Sequence, residues 1–195
     1  MTGVANILNV LNQATDVEYN AGRNWYREAN ELAWDLSDPR TYADVAMAAG
    51  VIAALSPRMP WGRNKELAVR AFADGHASGT LGNSVRAANR ILAGEDPLDV
   101  LKGDKVRSFY LNILGDIDAV TVDRHALEVY LGKRFADKDR PSVGKRLYRE
   151  ASDAYRTAAA EAARPLTPRD LQAITWLVWR RIHLTGTPYE HITRG

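Results

Sequence analysis

Apolar residues recur at helical spacing along nearly the whole chain, and this periodicity is the feature that most restricts the fold. Trp25, Ala29, Leu32 and Leu36 lie at positions i, i+4, i+7 and i+11, which places them on one face of a helix. No segment shows the sustained alternation of apolar and polar residues that is typical of a half-buried strand. The sequence therefore predicts an all-α protein, with two helical lobes flanking a cleft.

Proline, glycine and capping residues give approximate bounds for the predicted helices. Thr41 is placed to cap a helix that runs to about Leu55, and this helix is apolar nearly all round and therefore expected to be central. A further helix is expected to begin at Asp123. The other segments predict helices at about 64–73, 83–92, 97–101, 104–114, 142–163 and 169–183.

Composition excludes several classes of protein. The 195 residues include no cysteine, which excludes disulfides, cysteine-ligated zinc and iron–sulfur clusters. The longest apolar run, Val45 to Leu55, is far shorter than the ~20 residues of a membrane span. The sequence starts without a basic leader, so a soluble cytoplasmic protein is expected. The four histidines are scattered without the spacing of a metal site, so neither a metal nor another cofactor is expected.

Lys105 and Asp123 have the local electrostatics of a nucleophile and a supporting acid. Lys105 is predicted in the first turn of a helix, where the positive end of the macrodipole lowers the cost of losing the ammonium proton. Asp123 begins the next helix, where the same dipole favours an ionised carboxylate. A lysine whose neutral form is favoured and a nearby aspartate whose ionised form is favoured are an uncommon pair.

The pattern Gly-x-Lys, a helical run and then Val-Asp-x-His resembles the helix-hairpin-helix DNA glycosylases, which include endonuclease III and the 8-oxoguanine DNA glycosylase/lyases. In that family a lysine attacks the sugar C1′ atom and an aspartate eighteen to twenty residues later assists. Lys105 and Asp123, eighteen residues apart, match these two positions. His125 matches the family histidine that usually faces a DNA phosphate.

The resemblance implies a hairpin at residues 97–114 that binds DNA. A short helix beginning at Pro97, a turn and the Lys105 helix occupy the required positions, and amides at such a turn can hold a phosphate. The family turn is Gly-x-Gly, whereas this chain has Leu101-Lys102-Gly103, so the hairpin is degenerate and lacks the first glycine. Lys102 and Gly103 are the expected DNA contacts at this turn.

The resemblance also implies residues that would handle a flipped base. The loop after Leu55 carries Arg58, Met59 and Trp61, which are candidates for the wedge that fills the space left in the duplex. Gln172 and Trp176 match a glutamine that contacts the base edge and an aromatic residue that stacks on it. Phe109, one turn after Lys105, would lie against the other face of the base. Tryptophan and phenylalanine at helical spacing also fit an ordinary hydrophobic core.

Basic residues are concentrated between residues 133 and 149, although the formal net charge of the chain is only +2. This excess, in which Lys145 and Arg146 begin the predicted 142–163 helix, fits either a DNA backbone contact or a solvated surface. Its position soon after Asp123 favours double-stranded DNA as the partner.

These observations predict a single glycosylase-like unit spanning residues 1–195, acting as a monomer. Its parts would be N-terminal helices at 1–40, a helical lobe with the degenerate hairpin at 41–140, and C-terminal helices at 141–195 that complete the second lobe. The expected function is a DNA glycosylase with AP lyase activity. Two alternatives remain: a base-hypermodification enzyme on the same scaffold, since phage enzymes that build hypermodified thymines look related, and a non-catalytic DNA-binding relative.

Overall fold

The computed structural model describes residues 2–37, 42–139 and 141–183, and within these ranges the chain forms helices and connecting turns without any strand. The all-α prediction is confirmed. In chain order the helices are α1 (Gly3–Leu11), α2 (Asp16–Asp35), α3 (Tyr42–Leu55), α4 (Trp61–Asp74), α5 (Gly82–Leu92), α6 (Pro97–Val100), α7 (Asp104–Ile113), α8 (Arg124–Leu131), α9 (Lys145–Glu161) and α10 (Pro168–His183), with a 3-10 turn at Asp137–Asp139.

The helix bounds follow the sequence pattern closely, with two differences of up to three residues. Helix α4 begins at Trp61, three residues before the predicted start at 64. Helix α9 begins and ends two to three residues inside the predicted 142–163 range, because Gly144 and Ala162 have extended backbone conformations. The cap predicted at Thr41 lies outside the described residues, as do Arg140 of the basic stretch and His191.

The chain divides into two compact units. The terminal unit, named for its place in the sequence, comprises Met1–Trp25 and Asp116–Gly195, and the central unit comprises Tyr26–Gly115. The boundary falls inside α2, so this helix contributes its first half to the terminal unit and its second half to the central unit.

The core of the terminal unit lies where α1, α8, α9 and α10 pack together. Ile7 of α1, Leu127 of α8, Tyr155 of α9 and Ile174 of α10 are fully buried there. Burial of a large apolar side chain is favourable by about 1.5–3 kcal/mol. This core therefore fixes α8 against α10, and these two helices carry several of the candidate site residues.

A buried carboxylate and a glycine hold the start of α2 within the same unit. Glu18 is fully buried, and its Oε2 accepts from the Thr15 N–H (2.9 Å) while its Oε1 accepts from Arg181 Nε (2.7 Å). One turn later, a Cβ atom added at Gly22 would lie 2.7 Å from the Ile174 Cα atom. Helix α2 can therefore pass this close to α10 only with glycine at that position.

Helix α3 is the buried centre of the central unit, as its apolar sequence predicts. The residues from Val51 to Leu55 are all buried, and the neighbours of α3 are α4, α5, α6 and α7. A helix that is covered on several sides needs apolar residues all round. Gly50 allows the short helix α6 to approach, since a Cβ there would lie 2.8 Å from the Pro97 Cβ atom.

No helix in the described ranges is long and apolar enough to cross a membrane.

Candidate active site

Asp123 is the N-cap of α8, as the sequence predicts. Its Oδ1 accepts from the Ala126 N–H (2.8 Å), and its Oδ2 accepts from the indole Nε1 of Trp176 on α10 (3.0 Å). Each carboxylate oxygen therefore accepts one N–H donor, and such hydrogen bonds are strongest when the acceptor is ionised. The side chain remains partly exposed, so it is held in one orientation and still faces solvent.

The segment that leads into α8 is itself fixed by a buried tyrosine. The Tyr148 hydroxyl donates to the Val120 carbonyl (2.7 Å) and accepts from the Val122 N–H (3.2 Å). These two bonds satisfy backbone groups of an extended segment that has no helix of its own. The position of the Asp123 backbone therefore depends on α9 as well as on α8.

Aromatic and cationic side chains surround Trp176 in the terminal unit. The Trp25 ring lies 5.1 Å from the Trp176 ring at 47°, and the His125 ring lies 6.2 Å away, nearly edge-on. The Arg180 guanidinium lies 4.4 Å from the centroid of the Trp176 ring. We name Trp25, Asp123, His125, Trp176 and Arg180 the Asp123 cluster.

His125 is mostly buried, and its surroundings favour the neutral imidazole. Burial lowers the pKa of its imidazole below the ordinary value; the carboxylates Asp123 and Glu128 oppose this shift, while Arg124 and Arg180 reinforce it. Its Nε2 accepts from a guanidinium N–H of Arg124 at 3.4 Å, and its Nδ1 lies 3.7 Å from Glu128 Oε2. An imidazole nitrogen that accepts a hydrogen bond carries no proton, so this arrangement fits the tautomer protonated at Nδ1.

Glu128 is a buried carboxylate beside His125 of the Asp123 cluster. It is 2 % exposed, and its Oε2 accepts from Trp179 Nε1 (3.0 Å) while its Oε1 accepts from the Phe135 N–H (3.3 Å). A buried carboxylate requires such donors to offset the loss of water. Glu128 therefore orients α10 and the segment after α8 around His125.

Lys105 belongs to the central unit and occupies the first turn of α7, as predicted. Gly103 is the N-cap of this helix with φ 89°, a conformation that L side chains rarely adopt. Lys105 is partly exposed, and no described residue hydrogen-bonds or ion-pairs with its amine. The neighbouring Lys102 is exposed, and its amine donates to the Asp99 carbonyl at 2.7 Å.

Phe109 lies in an aromatic cluster of the central unit. It is 9 % exposed, and its ring is 6.1 Å from Tyr26 and 6.4 Å from Trp61. Trp61 is partly buried at the start of α4, and its Nε1 donates to Glu28 Oε1 (3.2 Å), which also accepts from Lys65 (2.8 Å). In this arrangement both rings pack on protein, so the described contacts of Phe109 and Trp61 are those of a core edge.

The loop between α3 and α4 contains a strained residue. Arg58 is exposed and has φ 59°, and it is the one non-glycine residue with positive φ among those described. Such a conformation costs about 1–3 kcal/mol and is concentrated at functional sites. Met59 is partly exposed, and its N–H closes the loop onto the Ser56 carbonyl at 3.1 Å.

The remaining predicted site residues differ in exposure. Gln172 is 4 % exposed within the core of α10, so its amide is not at the protein surface. Lys145 is exposed at the start of α9, and the Arg146 side chain is 88 % exposed beside Glu150 (3.6 Å). The described basic residues between 133 and 149 form solvated surface, as either interpretation of that stretch requires.

The structure thus brings Asp123, His125 and Trp176 together in one unit and places Phe109 and Trp61 together in the other. Lys105 and Asp123 belong to different units, and their pairing stays a prediction. Within the described ranges there is no group of three His, Asp or Glu side chains that could hold a metal ion. Sequence reasoning missed Trp25 and Arg180, although Arg180 follows Trp176 by one turn and so shares its helix face.

The chain matches a family model, described as a family of unknown function (DUF7178), over residues 1–183. It belongs to the DUF7178 family. The DUF7178 match includes every candidate site residue in both units. No curated protein matches the chain, and no solved structure matches it either.

Proposed function

We propose that this DUF7178 protein is a DNA glycosylase with AP lyase activity, on the helix-hairpin-helix scaffold that its sequence resembles. It flips a damaged or modified base out of double-stranded DNA and attacks the sugar C1′ atom through Lys105, with Asp123 as the supporting acid. It acts as a monomer in the cytoplasm and needs no cofactor.

The observation that carries the proposal is the fixed carboxylate of Asp123. Hydrogen bonds from Ala126 and Trp176 hold both oxygens, so the group keeps one orientation while part of it faces solvent. Cleavage of a glycosidic bond develops positive charge on the sugar ring. A carboxylate that is held in place before the reaction stabilises that charge without reorganisation.

Lys105 has the surroundings of an available nucleophile. Its amine is partly exposed and has no partner among the described residues, so attack would not require an ion pair to break. It lies in the first turn of α7, as the resemblance to the lysine of the glycosylase/lyases requires.

The proposed reaction has three steps. The neutral Lys105 amine forms a bond to C1′ while the bond from C1′ to the base nitrogen breaks, and the base leaves with that electron pair and takes up a proton. Asp123 accepts a proton from the lysine nitrogen and passes it to the departing base, and the second proton of that nitrogen moves to the ring oxygen O4′ as the ring opens to a Schiff base. Loss of a proton from C2′ then expels the 3′ phosphate by β-elimination, which cuts the strand.

DNA would be held by charge and by the turn before α7. The exposed Lys102, Lys145 and Arg146 can neutralise phosphates, and Gly103 gives the turn its positive φ. Arg58 is exposed and strained on a short loop, which supports its proposed role as a wedge for the space left by an extruded nucleotide. Gln172, Phe109 and His125 are mostly buried, so contact between them and DNA would need the surrounding side chains to move.

The experiment is a panel of duplexes carrying single lesions or an abasic site, assayed for base release, strand scission and adducts trapped with borohydride. Wild-type protein should release one class of base and give a trapped adduct. Lys105→Gln keeps polarity and removes the nucleophile, so the adduct and scission should vanish while DNA affinity persists. Asp123→Asn should slow base release by orders of magnitude, since the sugar charge loses its carboxylate partner.

Lys102→Gln is the matched control, because Lys102 is an exposed amine three residues from Lys105. This variant should keep the trapped adduct and bind all duplexes more weakly. An adduct that survives in Lys105→Gln and is lost in Lys102→Gln would assign the nucleophile to Lys102 and overturn the Lys105 mechanism.

A second candidate is base modification without strand cleavage, and the cationic side chains beside Asp123 favour it. Arg180 and Arg124 both act electrostatically on the Asp123 region, and an anionic leaving group on a base would require such cations. The same duplex panel separates the two functions. Binding by wild-type protein without adduct or scission on any substrate would favour base modification or a non-catalytic DNA-binding relative over the lyase.

A further inference from the structure

Arg180 is a half-buried cation without a carboxylate partner. Its Nε atom is buried and has no hydrogen-bond partner, and no described carboxylate lies within ion-pair distance of its guanidinium. Burial lowers the pKa of this group from its ordinary value, which Asp123 opposes and Arg124 reinforces. Leaving a donor unsatisfied in a partly buried position is unfavourable, so the Arg180 guanidinium would gain from an added hydrogen-bond acceptor.

The guanidinium is oriented by the face of a tryptophan. It lies 4.4 Å from the Trp176 ring centroid, and the Trp176 indole is fixed by its bond to Asp123. Stacking of arginine on an indole holds the planar fork in one orientation while its donors stay available at the edge. The result is a pre-oriented fork of N–H donors on the same helix face as the residue that contacts Asp123.

Arg124 lies near Arg180, and the carboxylates of Asp123 and Glu128 lie in the same region. Arg124 and Arg180 each lower the pKa of His125, and Arg124 also lowers that of Arg180. Two guanidinium groups thus act on the same imidazole as the carboxylates of Asp123 and Glu128, and each carboxylate already accepts two hydrogen bonds from other N–H donors. An arginine whose neighbouring carboxylates accept from other donors is suited to an anion that can take two of its hydrogen bonds at once, such as a phosphoryl group.

We propose that Arg180, with Arg124 beside it, binds a phosphoryl group of the substrate next to Asp123. The placement beside the reacting atoms rests on the proposed function, whereas the binding of the phosphoryl group can be measured by itself. The group is either a phosphodiester of the DNA strand that carries the flipped nucleotide or a phosphomonoester, as on a mononucleotide or a phosphorylated base. Arg180 would then determine which nucleotide position or which modified base is accepted.

The test follows the Arg180 Nε–Hε resonance by NMR in the full-length protein, assigned by its loss in Arg180→Gln. The probes are inorganic phosphate, pyrophosphate, thymidine monophosphate and an undamaged duplex, each titrated separately. We expect a saturable shift of this resonance with at least one probe. We expect Arg180→Gln to weaken binding of that probe by about tenfold or more, since hydrogen bonds to a charged group are lost.

Two variants separate a binding role from a structural one. Arg180→Lys keeps the charge and loses the planar fork, so its affinity should lie between those of wild type and Arg180→Gln. Arg70→Gln removes the same charge from an exposed position on α4, and it should bind as wild type does. Circular dichroism confirms that each variant is folded.

The outcomes assign the source of the phosphoryl group. A shift with duplex alone, together with a salt dependence of binding reduced by about one unit in Arg180→Gln, identifies a strand phosphate. A shift with phosphate, pyrophosphate or the mononucleotide identifies a phosphomonoester. No shift with any probe, or equal affinities for Arg180→Gln and Arg70→Gln, overturns the inference. A protein that passes this test and gives no trapped adduct contradicts the lyase proposal alone.

Discussion

Replacement of Asp123 by asparagine tests whether Trp176 holds the carboxylate in place. Asparagine caps a helix about as well as aspartate, so the bond to the Ala126 N–H should persist. Its second terminal atom is an NH2 group, however, and this donor would face the Trp176 Nε1–H donor in place of Oδ2. Two donors would then lack an acceptor, which costs about 1–3 kcal/mol of unfolding free energy.

A double-mutant cycle with Trp176→Phe isolates this interaction. In the phenylalanine background the indole donor is absent, so Asp123→Asn should cost no more than about 0.5 kcal/mol, the remaining difference between two good caps. The packing lost on replacing the tryptophan occurs in both arms of the cycle and cancels. We therefore expect a coupling energy of about 1–2 kcal/mol between the two positions.

The assay is urea denaturation of the four proteins, followed by circular dichroism and by tryptophan fluorescence. Coincident transitions from the two probes justify a two-state fit. In thermal unfolding, each kcal/mol corresponds to roughly 2–4 °C in Tm for a chain of this size. If Asp123→Asn costs the same in both backgrounds to within about 0.5 kcal/mol, Trp176 does not hold the carboxylate and the argument for a pre-oriented Asp123 fails.

Three further predictions concern DNA binding, the hairpin turn and pH. Paired replacement of Lys145 and Arg146 by alanine should weaken binding to all duplexes equally and reduce the salt slope of binding by roughly one unit per lost phosphate contact. Filter binding at several salt concentrations measures this slope. An unchanged slope would mean that the two side chains only solvate the surface. Gly103→Ala should lower the unfolding free energy by about 1 kcal/mol or more in the same denaturation assay, because the φ angle of 89° is unfavourable for alanine even though an added Cβ meets no other atom. Gly144→Ala is the control and should be nearly neutral, since that site is equally open and its φ is −74°. Burial lowers the pKa of His125, so the unfolded state binds a proton more readily than the folded state does. The stability that is present above the unfolded pKa of about 6.5 should therefore be lost as the pH falls towards the lowered folded pKa. His125→Gln should reduce that loss in unfolding curves measured from pH 7 to pH 5.

The helices and their caps follow from local sequence, and for that reason they could be predicted. The Asp123 N-cap and the first-turn position of Lys105 depend on residues within one turn of each other. The bond between Asp123 and Trp176 joins residues 53 positions apart, and no local pattern specifies it. The same is true of the packing of Trp25 on Trp176, which brings α2 to α10.

Burial was harder to predict from spacing than helix position. Gln172 and Trp176 share a helix face, yet Gln172 is 4 % exposed while Trp176 is partly exposed at the edge of the same core. The residue types alone do not predict this difference in burial, because a polar atom can be buried at either position only if another part of the fold supplies a hydrogen-bond partner. Arg58 illustrates the same limit, because its positive φ follows from closure of the loop and not from its own conformational preference.

The two-segment construction of the terminal unit has a consequence for the order in which the protein forms during translation. The central unit is one continuous stretch that ends at Gly115, so its whole sequence leaves the ribosome before α8, α9 and α10 emerge. Until then, Ile7 and Val10 of α1 lack the helices that bury them, because those partners lie at the other end of the chain. Contacts so distant in sequence form late and slowly. The nascent chain therefore displays an apolar α1 throughout synthesis of the central unit, and the Asp123 cluster is completed only after α10 emerges.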